Sequence, residues 1–202
     1  MDSYYERDCT VANWCRSIVR VLGTESDVAR FVAHIDEEGE AQEDIAECCL
    51  EQRIPGRAEY ELITKWTPPL DRLAEISRQF PTLTLQVEWD QPGDGLLGCA
   101  VIMDGNRNVL ELDDLVRRAR TRIREVYPQH FHDGDDDGAD LELSWELLRE
   151  ASRLHCGVQR DEQDDANESA VVTDVRQFAR HAVREWIGAT QEDSVNWSQE
   201  GF

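Results

Sequence analysis

The stretch "DGDDDGADLELSWE", residues 133–146, concentrates oxygen ligands at the spacing a calcium loop uses. Asp133, Asp135, Asp137 and Gly138 match the first, third, fifth and sixth positions of an EF-hand loop. The twelfth position, where a bidentate Glu closes the coordination sphere, is Ser144, and the normally apolar eighth is Asp140. The pattern fails where calcium affinity is made, so the segment reads as a solvated acidic loop. Just upstream, His130 and His132 flank Phe131 and could join Asp133, Asp135 or Asp137 around a transition metal, two imidazoles falling on one side of an extended chain. The competing expectation is a pair of surface histidines.

Nucleophilic chemistry needs an activating base within reach. Cys15 and Cys99 are the candidates, but both fall on the apolar parity of β-prone runs, where free cysteine behaves as a small buried hydrophobe. No Gly-rich phosphate loop, GxSxG elbow or HExxH is present, and carboxylate pairs are too common here for one to stand out. The one basic cluster is "RRARTRIR", residues 117–124, with Arg117, Arg120 and Arg124 on one helical side and Arg118 and Arg122 on another. These arginines are expected to pair with carboxylates within the chain or across a homodimer. No catalytic residue and no cofactor is therefore assigned.

The elements that must position these residues follow from periodicity. "WCRSIVRVL" (14–22) sets Arg16 and Arg20 on the parity opposite Cys15, Val19 and Val21, a strand ended by Gly23. Thr24 caps a helix with the apolar stripe Val28, Phe31, Val32 and Ile35. The acidic run 36–47, seven acids and no base, reads as an exposed insertion with a short helix through Cys49 and Leu50, closed by Pro55-Gly56. Tyr60, Leu62, Thr64 and Trp66 alternate with Glu59, Glu61 and Lys65 as a half-buried strand. Thr67 and Pro68 open a helix through Leu70, Leu73, Ala74, Ser77 and Phe80. Leu83, Leu85, Val87 and Trp89 alternate against Thr84, Gln86 and Glu88, and after "QPGDG" the run Leu97, Cys99, Val101, Met103 returns as a hairpin. Three helices follow: Leu112 to Val126, Leu143 to Leu154, and one capped by Thr173 with Val175, Ala179, Val183 and Trp186 inward.

The order β-α-β-α-β-β then three helices predicts an α+β two-layer sandwich, a mainly antiparallel sheet with helices on one face. The expected division is 1–106 for that sandwich, 107–189 for a helical extension packed on it, and 190–202 for a loosely ordered tail.

Charge narrows the function. Of 202 residues, 43 are acids and 21 bases, a net −22. The excess is spread through the chain: 21 acids to 10 bases in 1–110, 22 to 11 in 111–202, and Lys65 is the lone lysine. Such a field repels nucleic acid and anionic membranes and draws in basic protein surfaces. No apolar run approaches the ~20 residues a membrane helix needs. "MDSYYERDCTVANWC" lacks the basic-then-apolar layout of a signal peptide. The expected location is the cytoplasm, with the six cysteines reduced.

"ANWC" (12–15), "KWTPP" (65–69), "QFPTLTLQVEW" (79–89) and "PGDGLLGCAVI" (92–102) occur in order around these elements. On those motifs the stretch of roughly 12–105 resembles the YubB-type ferredoxin-like family of plasmids, phages and related mobile elements. The resemblance implies a ferredoxin-like fold and a mobile-element setting, and no catalytic residues. The short acidic interval after the first helix departs from that family and implies one strand fewer.

Charge and resemblance together lead to a non-enzymatic acidic protein that engages a basic surface of a host nucleic-acid-processing or defence complex, as a nucleic-acid mimic of anti-CRISPR or anti-restriction type. The residues expected to meet that surface are Asp36, Glu37, Glu38, Glu40, Glu43 and Asp44, with Asp133, Asp135, Asp136, Asp137 and Asp140. Two alternatives stand beside it. One is a metal-binding enzyme or regulator built on His130, His132 and the Asp133–Asp140 loop. The other is a self-associating structural protein, or a soluble acidic protein of a salt-rich cytosol.

Overall fold

A computed structural model describes residues 14–38, 45–91, 96–126, 128, 136–158 and 170–199. Six strands carry the fold: β1 (Trp14–Leu22), β2 (Ile45–Ile54), β3 (Arg57–Lys65), β4 (Thr84–Gln91), β5 (Leu96–Met103) and β6 (Asn106–Glu111). They form one sheet in the order β2-β3-β1-β4-β5-β6. The β2–β3, β3–β1 and β1–β4 pairings are antiparallel. The helices are α1 (Glu25–Glu38), α2 (Leu70–Ser77), α3 (Asp113–Val126), α4 (Asp136–Ala151) and α5 (Ala170–Gln199). The expected α+β class, a mainly antiparallel sheet with helices, is what the chain forms.

Register explains the core. Cys15, Ser17, Val19 and Val21 stand opposite Thr64, Leu62, Tyr60 and Ala58 of β3, and Ser17, Val19 and Val21 opposite Trp89, Val87 and Leu85 of β4. All are buried, so period-two alternation puts one continuous face of three strands out of water. Helices α1 and α2 bring their stripes to this face. Phe31 of α1 meets Tyr60 edge-on at 6.1 Å between ring centroids and Phe80 at 5.4 Å, orientations aromatic quadrupoles favour. Thr24 caps α1 as expected, its Oγ1 accepting the Asp27 N–H at 3.2 Å.

The structure corrects several local expectations. Residues 45–54 are strand β2, not a helix through Cys49 and Leu50, so the sheet does not lack a strand there. Gly56, at φ +75°, turns the chain tightly enough for β2 to pair along β3, and that long-range ladder overrides weak local preference. A further strand, β6, follows Asp104-Gly105. Thr67 does not cap α2: its carbonyl accepts from Thr64 Oγ1 at 2.8 Å, and the helix begins at Leu70 behind Pro69 without a side-chain cap. Trp66 lies beyond the end of β3 and is exposed, as are Met103, Val126 and Leu154. Gln86 and Glu88 are buried together with the apolar parity of β4.

In the acidic segment the backbone is helical from Asp136, so Asp136, Asp137, Gly138 and Asp140 belong to α4 rather than to a loop, which removes the turn geometry a calcium loop requires. Thr173 lies inside α5, which starts at Ala170 and extends to Gln199.

The chain separates into two compact units, Met1–Leu96 with Val101–Asn108, and Leu97–Ala100 with Val109–Phe202. In the second, Leu112, Leu115, Val116, Ala119 and Ile123 of α3 and its lead-in, Leu143, Leu147, Leu148 and Ala151 of α4, and Val175, Ala179 and Val183 of α5 are buried. Asp113 caps back onto the β5 strand, accepting the Leu97 N–H at 2.9 Å. A π-helical turn, Ser152–Cys156, follows α4 and stops at Gly157 in the left-handed conformation.

Candidate interaction surface

On the sheet face opposite α1 and α2, the other parity of β3, β1 and β4 carries charge. Arg16 Nε donates to Glu61 at 2.5 Å, and Arg20 Nε donates to Glu59 at 2.9 Å while its Nη1 lies 2.9 Å from Glu88. Arg57 adds a contact of 3.1 Å to Glu59. Asp90 stands directly opposite Arg16 in the β1–β4 register. The result is a ladder in which two arginines of the central strand are held between carboxylates of its two neighbours. The Arg16 bond holds the Glu61 carboxyl below its ordinary range. Burial, only partly offset by Arg16, pushes Asp90 above its own.

These residues were not singled out from the sequence. The alternation of Arg16 and Arg20 with apolar residues, and of Glu59 and Glu61 with Tyr60 and Leu62, was legible. That they meet depends on the strand order β3-β1-β4, which alternation does not encode.

Of the acids expected to contact a partner, Asp36 lies in the last turn of α1 and is exposed. Its charge reaches Tyr60 and Cys48, adding to the burial that raises both pKa values. Glu37 and Glu38 continue the α1 backbone, and Asp136, Asp137 and Asp140 lie on the α4 backbone; their side chains, like Glu40, Glu43, Asp44, Asp133 and Asp135 entirely, fall outside the described residues. Glu47, the last acid of that run, and Glu51 lie on β2 and are exposed. His130 and His132 also lie outside the described residues, and among those that are described no group of three or more His, Cys, Asp or Glu is placed to hold a metal.

The arginines are largely spoken for. Among the described residues, Arg16, Arg20, Arg30, Arg57, Arg72 and Arg107 form ion pairs in the first unit, and Arg117, Arg149, Arg153, Arg176 and Arg184 in the second. Glu146, 2% exposed, takes both Arg149 and Arg176 and so ties α4 to α5. Within the basic run of α3, Arg117 pairs with Asp114, Arg118 lies 5.3 Å over the Trp186 ring, and Arg120 donates to Ser144 at 3.3 Å. The expected carboxylate pairing is met by Arg117, whereas Arg118 and Arg120 are used within the chain by an indole and a hydroxyl instead.

Neither cysteine singled out from the sequence is accessible as a nucleophile. Cys15 and Cys99 are fully buried, and burial pushes the Cys15 thiol up to about 11, where it stays protonated at neutral pH. No helix among the described residues is long and apolar enough to cross a membrane.

Sheet and helices define an α+β ferredoxin-like fold. Residues 39–127 match a family model described as the ferredoxin-like domain in Api92-like protein. The matched stretch runs from β2 through α3, whereas the sequence motifs had placed the likeness at roughly 12–105. No curated protein and no solved structure matches the chain.

Proposed function

We propose that this chain is a non-enzymatic binding protein of a mobile element, of the YubB type its motifs resemble, acting in the cytoplasm by presenting carboxylates to a basic protein surface. The partner class in this reading is a host nucleic-acid-processing or defence complex, whose groove the protein occupies in place of nucleic acid. The observation that carries it is the use of arginine. At least eleven of the 21 bases are engaged in ion pairs within the chain, which leaves at most ten to balance exposed carboxylates such as Asp36, Glu47 and Glu51. Charge of that kind accelerates encounter with a cationic surface and is screened over about 8 Å at physiological salt.

The test is capture from nuclease-treated host lysate with the whole chain, at low and high salt, beside a variant with Asp36, Glu37, Glu38, Glu40, Glu43 and Asp44 changed to Asn and Gln. Weaker and less salt-sensitive retention of basic proteins by the variant than by the wild type supports the reading. Undiminished retention at low salt defeats it.

A further inference from the structure

Strand β2 is an edge of the sheet, and among the described residues no strand lies outside it. In an antiparallel ladder alternate backbone N–H and C=O groups face the neighbour, so the remaining groups of β2 point away from β3. Native sheets guard such an edge with lysine, proline, bulges or brevity. β2 runs for ten residues and contains neither lysine nor proline. Its pairing with β3 is irregular at Ile45/Glu47 and at Leu50/Gln52, which leaves 47–50 as a regular stretch opposite 60–63. Glu47, Cys49 and Leu50 are exposed there, Leu50 to 41%.

The two faces of that stretch differ. Cys48 and Leu50 stand opposite buried Leu62 and Tyr60, on the side that α1 covers. Glu47 and Cys49 stand opposite Ile63 and Glu61, on the side of the arginine–carboxylate ladder, and the charge of Glu51 also reaches Arg16 of that ladder. Along the strand the exposed charges are Glu47 and Glu51 against Arg53. Asp36, exposed at the end of α1, lies near enough to add to the burial that raises the Cys48 thiol. The chain enters β2 from the run 36–47, with seven acids and no base. A second copy, itself at −22, would bring this edge up to like charges, so the acids guard against self-pairing. To a basic strand the same charges are an attraction.

We infer that the edge of β2 takes up an extended segment of the basic partner, one that alternates lysine or arginine with apolar residues, and adds it to the sheet. This rests on the charge-steered binding proposed above and names how the contact is made. Backbone hydrogen bonds to the edge supply affinity, and alternate side chains supply selection. On one face the apolar residues of the segment meet Cys48 and Leu50. On the other its cations meet Glu47, with Glu51 beside it.

The test uses the whole chain with three octapeptides: alternating lysine–valine, its fully N-methylated counterpart of equal charge, and alternating glutamate–valine. Calorimetry at low salt reads affinity, and amide hydrogen exchange reads the backbone. Lysine–valine is expected to bind about tenfold more tightly than the N-methylated peptide, which cannot donate to the edge; that is the scale of two backbone hydrogen bonds. It should also slow exchange of amides within 47–50. Glu47→Gln combined with Glu51→Gln should weaken lysine–valine binding about fivefold, the scale of two exposed ion pairs, at an unchanged melting temperature. Equal affinity of the two cationic peptides without protection of β2 overturns strand addition and leaves the charge reading standing. Protection of those amides in the free chain, together with a dimer in sedimentation, overturns it too and makes a second copy the occupant. Glutamate–valine binding as tightly as lysine–valine overturns it because charge then selects nothing. Failure of both cationic peptides to bind at low salt overturns strand addition and the charge reading together.

Discussion

Arg20 of β1 reaches diagonally to Glu88 of β4, opposite charges 2.9 Å apart with almost no water on either: their side chains are 8% and 4% exposed. The contact is close but is not aligned as a hydrogen bond, and Arg20 gives its straight Nε–H to Glu59 instead. A buried cation shared between carboxylates is weak evidence of net stabilisation and strong evidence of dependence on all members being present.

Substituting Arg20→Met should accordingly destabilise the protein by about 3 kcal/mol, because desolvated Glu88 then loses its cation. Arg20→Leu combined with Glu88→Leu should recover most of that loss, Glu59 keeping its contact with Arg57. Urea unfolding of the three proteins checks the prediction. Equal destabilisation by the single and double variants would show that the pair is not coupled.

Two carboxylates beside Arg16 should give opposite pH signatures. The folded pKa of Glu61 lies below its ordinary 4.5, so its stabilising contribution is present above that value and is lost as pH falls through the lower, folded one. The folded pKa of Asp90 lies above its ordinary 3.8, so its destabilising contribution is absent in acid and sets in as pH rises through the higher, folded one. Asp90→Asn should therefore raise the melting temperature at neutral pH and change nothing below about 3.8. Glu61→Gln should lower stability at neutral pH, by about 0.5 kcal/mol for a partly exposed pair, and converge with the wild type in strong acid. Thermal melts across pH decide both.

The β2–β3 turn makes a third case. A Cβ on Gly56 would lie 2.9 Å from the Gly23 carbonyl oxygen, at φ +75°. Gly157 has a similar φ of +69° with nothing within 4 Å. Gly157→Ala should cost only the backbone term, about 1 kcal/mol, and Gly56→Ala distinctly more, about 2 kcal/mol or above. Chemical denaturation of the two variants separates crowding from conformation.

The residues themselves determined which faces could be buried. Cys15, Val19 and Val21, the Val28–Phe31–Val32 stripe, and Leu83, Leu85 and Val87 alternate or recur at the periods of strand and helix, and burial follows those periods. They determined the sign of the field as well, since charge is a sum over composition. What failed was local and had non-local causes. Strand β2 has too little apolar alternation to be read alone and exists because β3 offers it a ladder. Gln86 and Glu88 look like solvent-facing residues and are buried. Trp66 continues the apolar parity of β3, yet the strand has ended one residue earlier. Only the tertiary structure decided that Arg16 and Arg20 fall between Glu59 and Glu61 on one side and Glu88 and Asp90 on the other. Period tells a side chain which way to point, but strand order, set by the packing of the whole sheet, chooses what it meets.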